Sequence, residues 1–224
     1  MIRMLISSFY NTLIDKEEAI PMSTMLEIDK LRNKGVLFSV CTNRDKDSVL
    51  YYNHDYPFID YVIAYNGSYI YDVNKDKCLY KNPLNKSVVQ EIEKLFKDNE
   101  LNYYKEDNKV YKIEIKVKKN EFKLIDKLKN SDINSSIFKY NKEYFIEITS
   151  SNITNAVKYL STKLKLSPTD IVSIIGNLSD KELIDNIENT YVVSNCPKEL
   201  KELTSKKTKS NNSKGVENII KKYN

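Results

Sequence analysis

Few side chains in this sequence could act as an acid, a base, a nucleophile or a metal ligand. There is one histidine, His54, in Tyr52-Asn53-His54-Asp55-Tyr56. The three cysteines, Cys41, Cys78 and Cys196, are odd in number and lack Cys-x-x-Cys spacing. Neither a disulfide framework nor a zinc site is therefore expected. Cys41 and Cys196 each end an apolar run and read as core or near-core thiols. The chain carries no P-loop, no Gly-x-Gly-x-x-Gly fingerprint and no His/Cys cluster. Three polar stretches remain, each after an apolar run: Ser7-Ser8-Phe9-Tyr10-Asn11-Thr12-Leu13-Ile14-Asp15, Thr42-Asn43-Arg44 and Gly176-Asn177-Leu178-Ser179-Asp180-Lys181. A serine such as Ser8 becomes a nucleophile only with a base within reach. No spacing relates His54 to it, and His54 reads as a surface or loop residue. Arg44 reads equally as a surface residue or an ion-pair partner. Asp180 reads as an acidic residue in the first turn of a following helix, favourable to its dipole.

The elements that must position these stretches follow from hydropathy. Residues 2–7 form a short buried strand, and 21–34 a helix with Pro21 before it, Ser23 as its cap and Gly35 as its stop. Residues 36–41 give a second buried strand, Asp45 to Tyr52 a short helix and 60–64 a third strand. Asn66-Gly67 then predicts a tight hairpin into Tyr69-Ile70-Tyr71. Strand, helix, strand, helix, strand in this order predicts a parallel sheet with crossover helices. The middle of the chain changes character. Helix 85–98 leads to strands 101–106 and 109–117; helix 120–129 leads to strands 135–140 and 143–149. In 109–117, Val110, Lys112, Glu114 and Lys116 alternate with Tyr111, Ile113, Ile115 and Val117. Such alternation marks an open antiparallel sheet with one wet face. The parallel pattern then returns: helix 152–165, strand 170–175, helix 180–187, strand 190–194 and a last helix over about 214–222.

Length and composition agree with this division. The 224 residues suffice for a core domain with a small insert. Hydrophobic residues at 41% and charged residues at 30% fit a packed core under a solvated surface. The net charge of +5 is spread among interleaved Lys, Glu and Asp. The densest run, Lys198 to Lys214 with Lys206, Lys207 and Lys209, is expected to be a solvated loop, and no nucleic-acid partner is expected. No leader opens the sequence and no apolar run approaches the ~20 residues that span a bilayer, so no membrane partner and a cytoplasmic location are expected.

An α/β domain split by an αββαββ insert, with an Asn-Gly hairpin after the third strand, resembles the Cof-type, α+β-capped branch of the haloacid dehalogenase-like (HAD) phosphatases. The resemblance spans nearly the whole chain. It implies a Rossmann-like parallel-sheet core over 1–81 and 151–224, and an inserted α+β cap over 82–150. In that family the first strand ends in Asp-x-Asp-Gly-Thr-Leu, with a nucleophilic aspartate and an acid/base aspartate. Aligned on Thr12 and Leu13, the nucleophile position is Ser8 and the acid/base position Tyr10, with Asn11 for the glycine. Thr42-Asn43-Arg44 matches the family's Thr/Ser-Gly-Arg motif and is the implied phosphate pocket. The family's lysine at the start of the post-cap helix aligns with Ile153. The family's Gly-Asp-x-x-Asn-Asp motif, which holds Mg²⁺ in active relatives, reads here Gly176-Asn177-Leu178-Ser179-Asp180-Lys181. The metal positions are thus Asn177, Asp180 and Lys181.

These departures fall together on one catalytic unit, whose disruption typically costs about 10⁴- to 10⁶-fold in turnover. Mg²⁺ wants several hard oxygen ligands, and Ser8, Tyr10, Asn177 and Lys181 supply no carboxylate. The expectation is therefore a catalytically inactive HAD fold without a bound cofactor, binding a phosphorylated small molecule or a protein partner. The alternative is a Mg²⁺-dependent phosphate-monoester hydrolase with an altered site using Ser8, Thr42 and Asp180. The tyrosines of the insert, Tyr103, Tyr104, Tyr111, Tyr140 and Tyr144, could line a contact surface. The expected arrangement instead packs one sheet face on its helices and closes the other over the cleft.

Overall fold

The computed structural model describes residues 2–128 and 132–224. Its larger sheet has eight strands. They are β1 (Met4–Ser8), β2 (Leu37–Cys41), β3 (Tyr61–Ala64), β4 (Tyr69–Asp72), β5 (Lys77–Lys81), β10 (Ile171–Ile175), β11 (Asn189–Val193) and β12 (Lys207–Thr208). The order is β12-β11-β10-β1-β2-β3-β4-β5. All pairs from β12 to β3 are parallel, and β4 and β5 add antiparallel. Every residue of β1 and β10 is buried. A central parallel strand is covered on both faces, which explains why these segments read as unbroken apolar runs rather than alternating ones.

From β1 the chain steps one way through α1 (Met22–Asn33) to β2, and through α2 (Asp47–Asn53) to β3. It returns later to β10 on the other side of β1 and steps the opposite way. The direction of winding therefore reverses between β1 and β10. At such a reversal the loops leaving the carboxyl ends of the two strands diverge and open a crevice.

The second sheet, in the order β6-β7-β9-β8, is built from β6 (Leu101–Glu106), β7 (Lys109–Val117), β8 (Asn134–Tyr140) and β9 (Glu143–Thr149), all antiparallel. Ile113, Ile115, Val117, Ile146 and Ile148 form one apolar cluster with Ile92 and Phe96 of the α3 region (α3, Lys86–Leu95) and with Leu128. The helix expected over 120–129 is a tightly wound 3-10 segment, Lys119–Leu128, and position 129 lies outside the described residues. The chain leaves the insert into α4 (Ile153–Leu164), capped by Asn152, whose Oδ1 accepts from the Asn155 N–H at 2.9 Å.

Several expectations are corrected. Ser23 caps no helix; its hydroxyl donates to Glu217 in α7 (Gly215–Ile220) at 2.7 Å, tying the two helices together. The helix expected over 180–187 is reduced to a 3-10 turn, Leu178–Asp180, and a four-residue α5 (Leu183–Asn186). The Thr190 hydroxyl lies 2.8 Å from the Ile187 carbonyl and 3.1 Å from the Leu183 carbonyl, at the end of this helix. The lysine run contains α6 (Lys198–Glu202) and β12, so part of it extends the sheet edge. β5 continues the sheet antiparallel beyond β4, where the sequence pattern predicts no strand. No helix among the described residues is long and apolar enough to cross a membrane.

Candidate functional site

The segment after β1 turns through Phe9–Leu13, with Asn11 at φ 60°. This is the left-handed region that Asn tolerates better than other side-chain-bearing residues. Asparagines strap the turn: the Asn177 amide donates to the Tyr10 carbonyl at 3.1 Å, and the Asn195 amide to the Asn11 carbonyl at 2.9 Å. Asn11 Nδ2 in turn donates to Asn177 Oδ1 at 3.2 Å. Gly176 matters for close approach: a Cβ there would lie 2.5 Å from Thr12 Oγ1.

Ser8 and Asp180, 172 residues apart, meet at the floor of this crevice. Ser8 Oγ donates to Asp180 Oδ2 at 2.6 Å, and Ser179 Oγ donates to Asp180 Oδ1 at 3.2 Å. Cys41 Sγ approaches Ser8 Oγ at 3.9 Å. All three residues are buried, Asp180 with 6% of its surface exposed. Burial pushes the Asp180 carboxyl up to about 6, against the pull of its hydrogen bonds. Burial also raises the Cys41 thiol, with Asp180 adding to the shift. The reading of Asp180 as a dipole-complementing residue is therefore corrected: it faces Ser8, and only the fold could bring the two together.

The other predicted positions are placed less compactly. Tyr10 is half-buried, its ring covered by the Arg44 guanidinium at 4.0 Å from the centroid. Arg44 is exposed, and among the described residues its guanidinium N–H groups make no hydrogen bond or ion pair. Thr42 Oγ1 accepts from the Arg44 backbone N–H at 3.1 Å, which fixes the turn that presents Arg44. Lys181 is exposed. Ile153 is buried in the main apolar core at the start of α4. His54 is exposed and pairs with its neighbour Asp55 at 2.9 Å.

The oxygens that a Mg²⁺ ion would need are already engaged. Asp180 supplies the carboxylate among these aligned positions, and each of its oxygens accepts a hydroxyl. The Asn177 oxygen accepts from Asn11, and the Tyr10 carbonyl from Asn177. An octahedral dication prefers several anionic or free oxygens, and this donor set does not fit it.

Residues of the insert's second sheet face, the one expected to close over the cleft, complete the site. Lys112 on β7 and Glu147 on β9 are 1% and 4% exposed. Lys112 Nζ lies 3.1 Å from Glu147 Oε2 and 3.7 Å from the centre of the Tyr104 ring. Glu147 also accepts from two core amides, Asn43 Nδ2 at 3.4 Å and Asn66 Nδ2. Tyr111, on the opposite face of β7, stacks on Tyr65 of the core at 5.4 Å and meets Tyr69 edge-on. The Asn-Gly turn serves this junction. Asn66 adopts φ 52° and Gly67 φ 98°, and a Cβ on Gly67 would lie 2.1 Å from the Asn152 carbonyl.

The sequence pattern of the haloacid dehalogenase-like hydrolases matches residues 9–107 and 97–220. A Streptococcus pyogenes serotype M6 protein, named as a candidate phosphatase, is 30% identical over 82 residues; the match covers 36% of this chain and 30% of that relative. Three solved structures share the fold at low identity. A HAD-superfamily phosphatase of Bacteroides thetaiotaomicron has a TM-score of 0.88 at 12% identity, covering 100% of this chain and 95% of its own. A haloacid dehalogenase-like hydrolase of B. subtilis has 0.83 at 13%, covering 98% and 99%. A HAD subclass IIB sugar phosphatase has 0.84 at 15%, covering 99% and 98%. With its sequence pattern matched from residue 9 to residue 220 and its core and cap superimposing on these structures, the chain belongs to the haloacid dehalogenase-like hydrolase family.

Proposed function

We propose that this chain is a HAD-fold protein that has given up phosphoryl transfer and binds a small phosphorylated ligand in the crevice between core and cap, without a bound Mg²⁺. The observation that carries this reading is the Ser8–Asp180 hydrogen bond of 2.6 Å. At the position where the family places a carboxylate nucleophile stands a hydroxyl, and where it places an amide stands a carboxylate. A carboxylate can attack phosphorus without losing a proton, whereas a hydroxyl needs a base. The Ser8 proton is instead directed into a buried carboxylate on the floor. Tyr10 supplies a phenol in place of a carboxylic acid. The Arg44 guanidinium, over the Tyr10 ring on an exposed residue, is the cation best suited to a ligand phosphate.

One observation favours a second reading, a residual phosphohydrolase. A carboxyl held near 6 and hydrogen-bonded to a serine is the arrangement of a nucleophile with its base. Two measurements separate the readings. The purified protein is incubated with Mg²⁺ and a broad panel of phosphate monoesters, beside Ser8→Ala, and ligand binding is read by thermal shift beside Arg44→Ala. The binding reading expects background turnover unchanged by Ser8→Ala, and a ligand-dependent rise in Tm that Arg44→Ala removes. Mg²⁺-dependent turnover that Ser8→Ala abolishes would overturn it in favour of the hydrolase.

A further inference from the structure

Glu147 is an unusual occupant of a ligand crevice. It projects from the sheet face opposite the cap's apolar cluster and is almost completely buried between the two layers. Its oxygens accept from one ammonium, Lys112, and from two amides, Asn43 and Asn66. The amides stand on the turns that follow β2 and β3, at the carboxyl edge of the parallel sheet, where α/β folds take their ligands. Asn66, at φ 52°, follows Tyr65 at φ 49°, a left-handed conformation that a tyrosine keeps only when its surroundings enforce it. One ammonium and two amide donors converging on one anionic group is also how a phosphate is held. The charges around the cluster do not cancel this preference: Glu114 lies 4.0 Å from Lys112 and is itself partly exposed, while Arg44 stands on the core side of the same crevice.

We propose that Lys112, Asn43 and Asn66 form a phosphate-binding seat that Glu147 fills as a built-in stand-in, holding the cap against the core until a ligand phosphate displaces it. The proposal deepens the binding function above, since it concerns how that crevice is regulated. The two fail separately: Ser8-dependent turnover removes the first, and only the behaviour of Glu147 and Lys112 removes the second.

The test measures the affinity of inorganic phosphate for the full chain by calorimetry. Glu147→Gln keeps the side chain's size and an acceptor oxygen but removes the competing charge. It is expected to bind phosphate about tenfold or more tightly than the parent, the change given by one charged contact. Adding Lys112→Met to Glu147→Gln is expected to abolish that gain. Equal affinities in parent and Glu147→Gln, no binding by either at millimolar phosphate, or a gain that survives Lys112→Met would each overturn the proposal. A second measurement covers the case in which Glu147→Gln does not fold. Lys112 is buried while the Lys116 side chain on the same strand is 41% exposed, so acetylation mapped by mass spectrometry reports whether the seat is shut. Lys112 should react far more slowly than Lys116 in the parent. In Asn66→Gly, which suits the positive φ but removes one core donor, it should react about tenfold faster. Parent Lys112 reacting as fast as Lys116, or unchanged protection in Asn66→Gly, would overturn the latch.

Discussion

Asp180→Asn probes the floor of the crevice through its proton. Burial pushes the Asp180 carboxyl up to about 6, against about 3.9 in an unfolded chain. An acid whose folded pKa is raised binds its proton more tightly in the native state. Its contribution to stability is therefore fully present below about pH 4 and is lost as the pH rises through about 6. About two units at 1.36 kcal/mol each give a loss on the order of 3 kcal/mol by neutral pH. Asparagine has nearly the same size, carries no proton in this range and still offers an oxygen to the Ser8 hydroxyl. Urea unfolding of parent and variant across about pH 4 to about pH 7.5 isolates this proton, since every other titrating group is shared and a constant offset does not matter. The parent's stability is expected to fall relative to the variant's by on the order of 3 kcal/mol, mostly between about pH 4 and about pH 6. Parallel profiles would refute the reasoning: Asp180 would then be solvated or stabilised by a cation, and the closed floor around Ser8 would be wrong.

Two further substitutions test the joint between core and cap. Gly67→Ala is expected to destabilise by about 2 kcal/mol or more in the same unfolding assay, because its Cβ would meet the Asn152 carbonyl and its φ is positive. Lys112→Met leaves the Glu147 carboxylate buried without its cation and is expected to cost about 3–5 kcal/mol; adding Glu147→Leu should recover most of that loss, which a simple packing role for Lys112 would not allow.

Much of this molecule was legible in its residues. Unbroken apolar runs gave β1, β2 and β10, because a strand covered on both faces has no wet side to advertise. The Asn-Gly turn and the repeated αββ pattern gave the hairpin and the cap. Thr12 and Leu13 placed Ser8 and Tyr10, since their offset from the end of β1 is local. The 3-10 turn at Leu178–Asp180 is not legible in the same way, because its three residues show no helical period to read.

The sequence alone determined which side chains stand at the ends of the strands. Tertiary structure alone decided what those side chains face. Asp180 has a polar first-turn sequence and becomes the buried partner of Ser8 only when β10 lies beside β1. Lys112 sits at an alternating polar position, and Glu147, paired with Glu114 across the strands, shares its face. Period-two alternation says which residues share a face, but it carries no information on whether water or another layer covers it. Here the core covers it, as expected of the face that closes over the cleft, and Lys112 and Glu147 become the buried pair that joins cap to core.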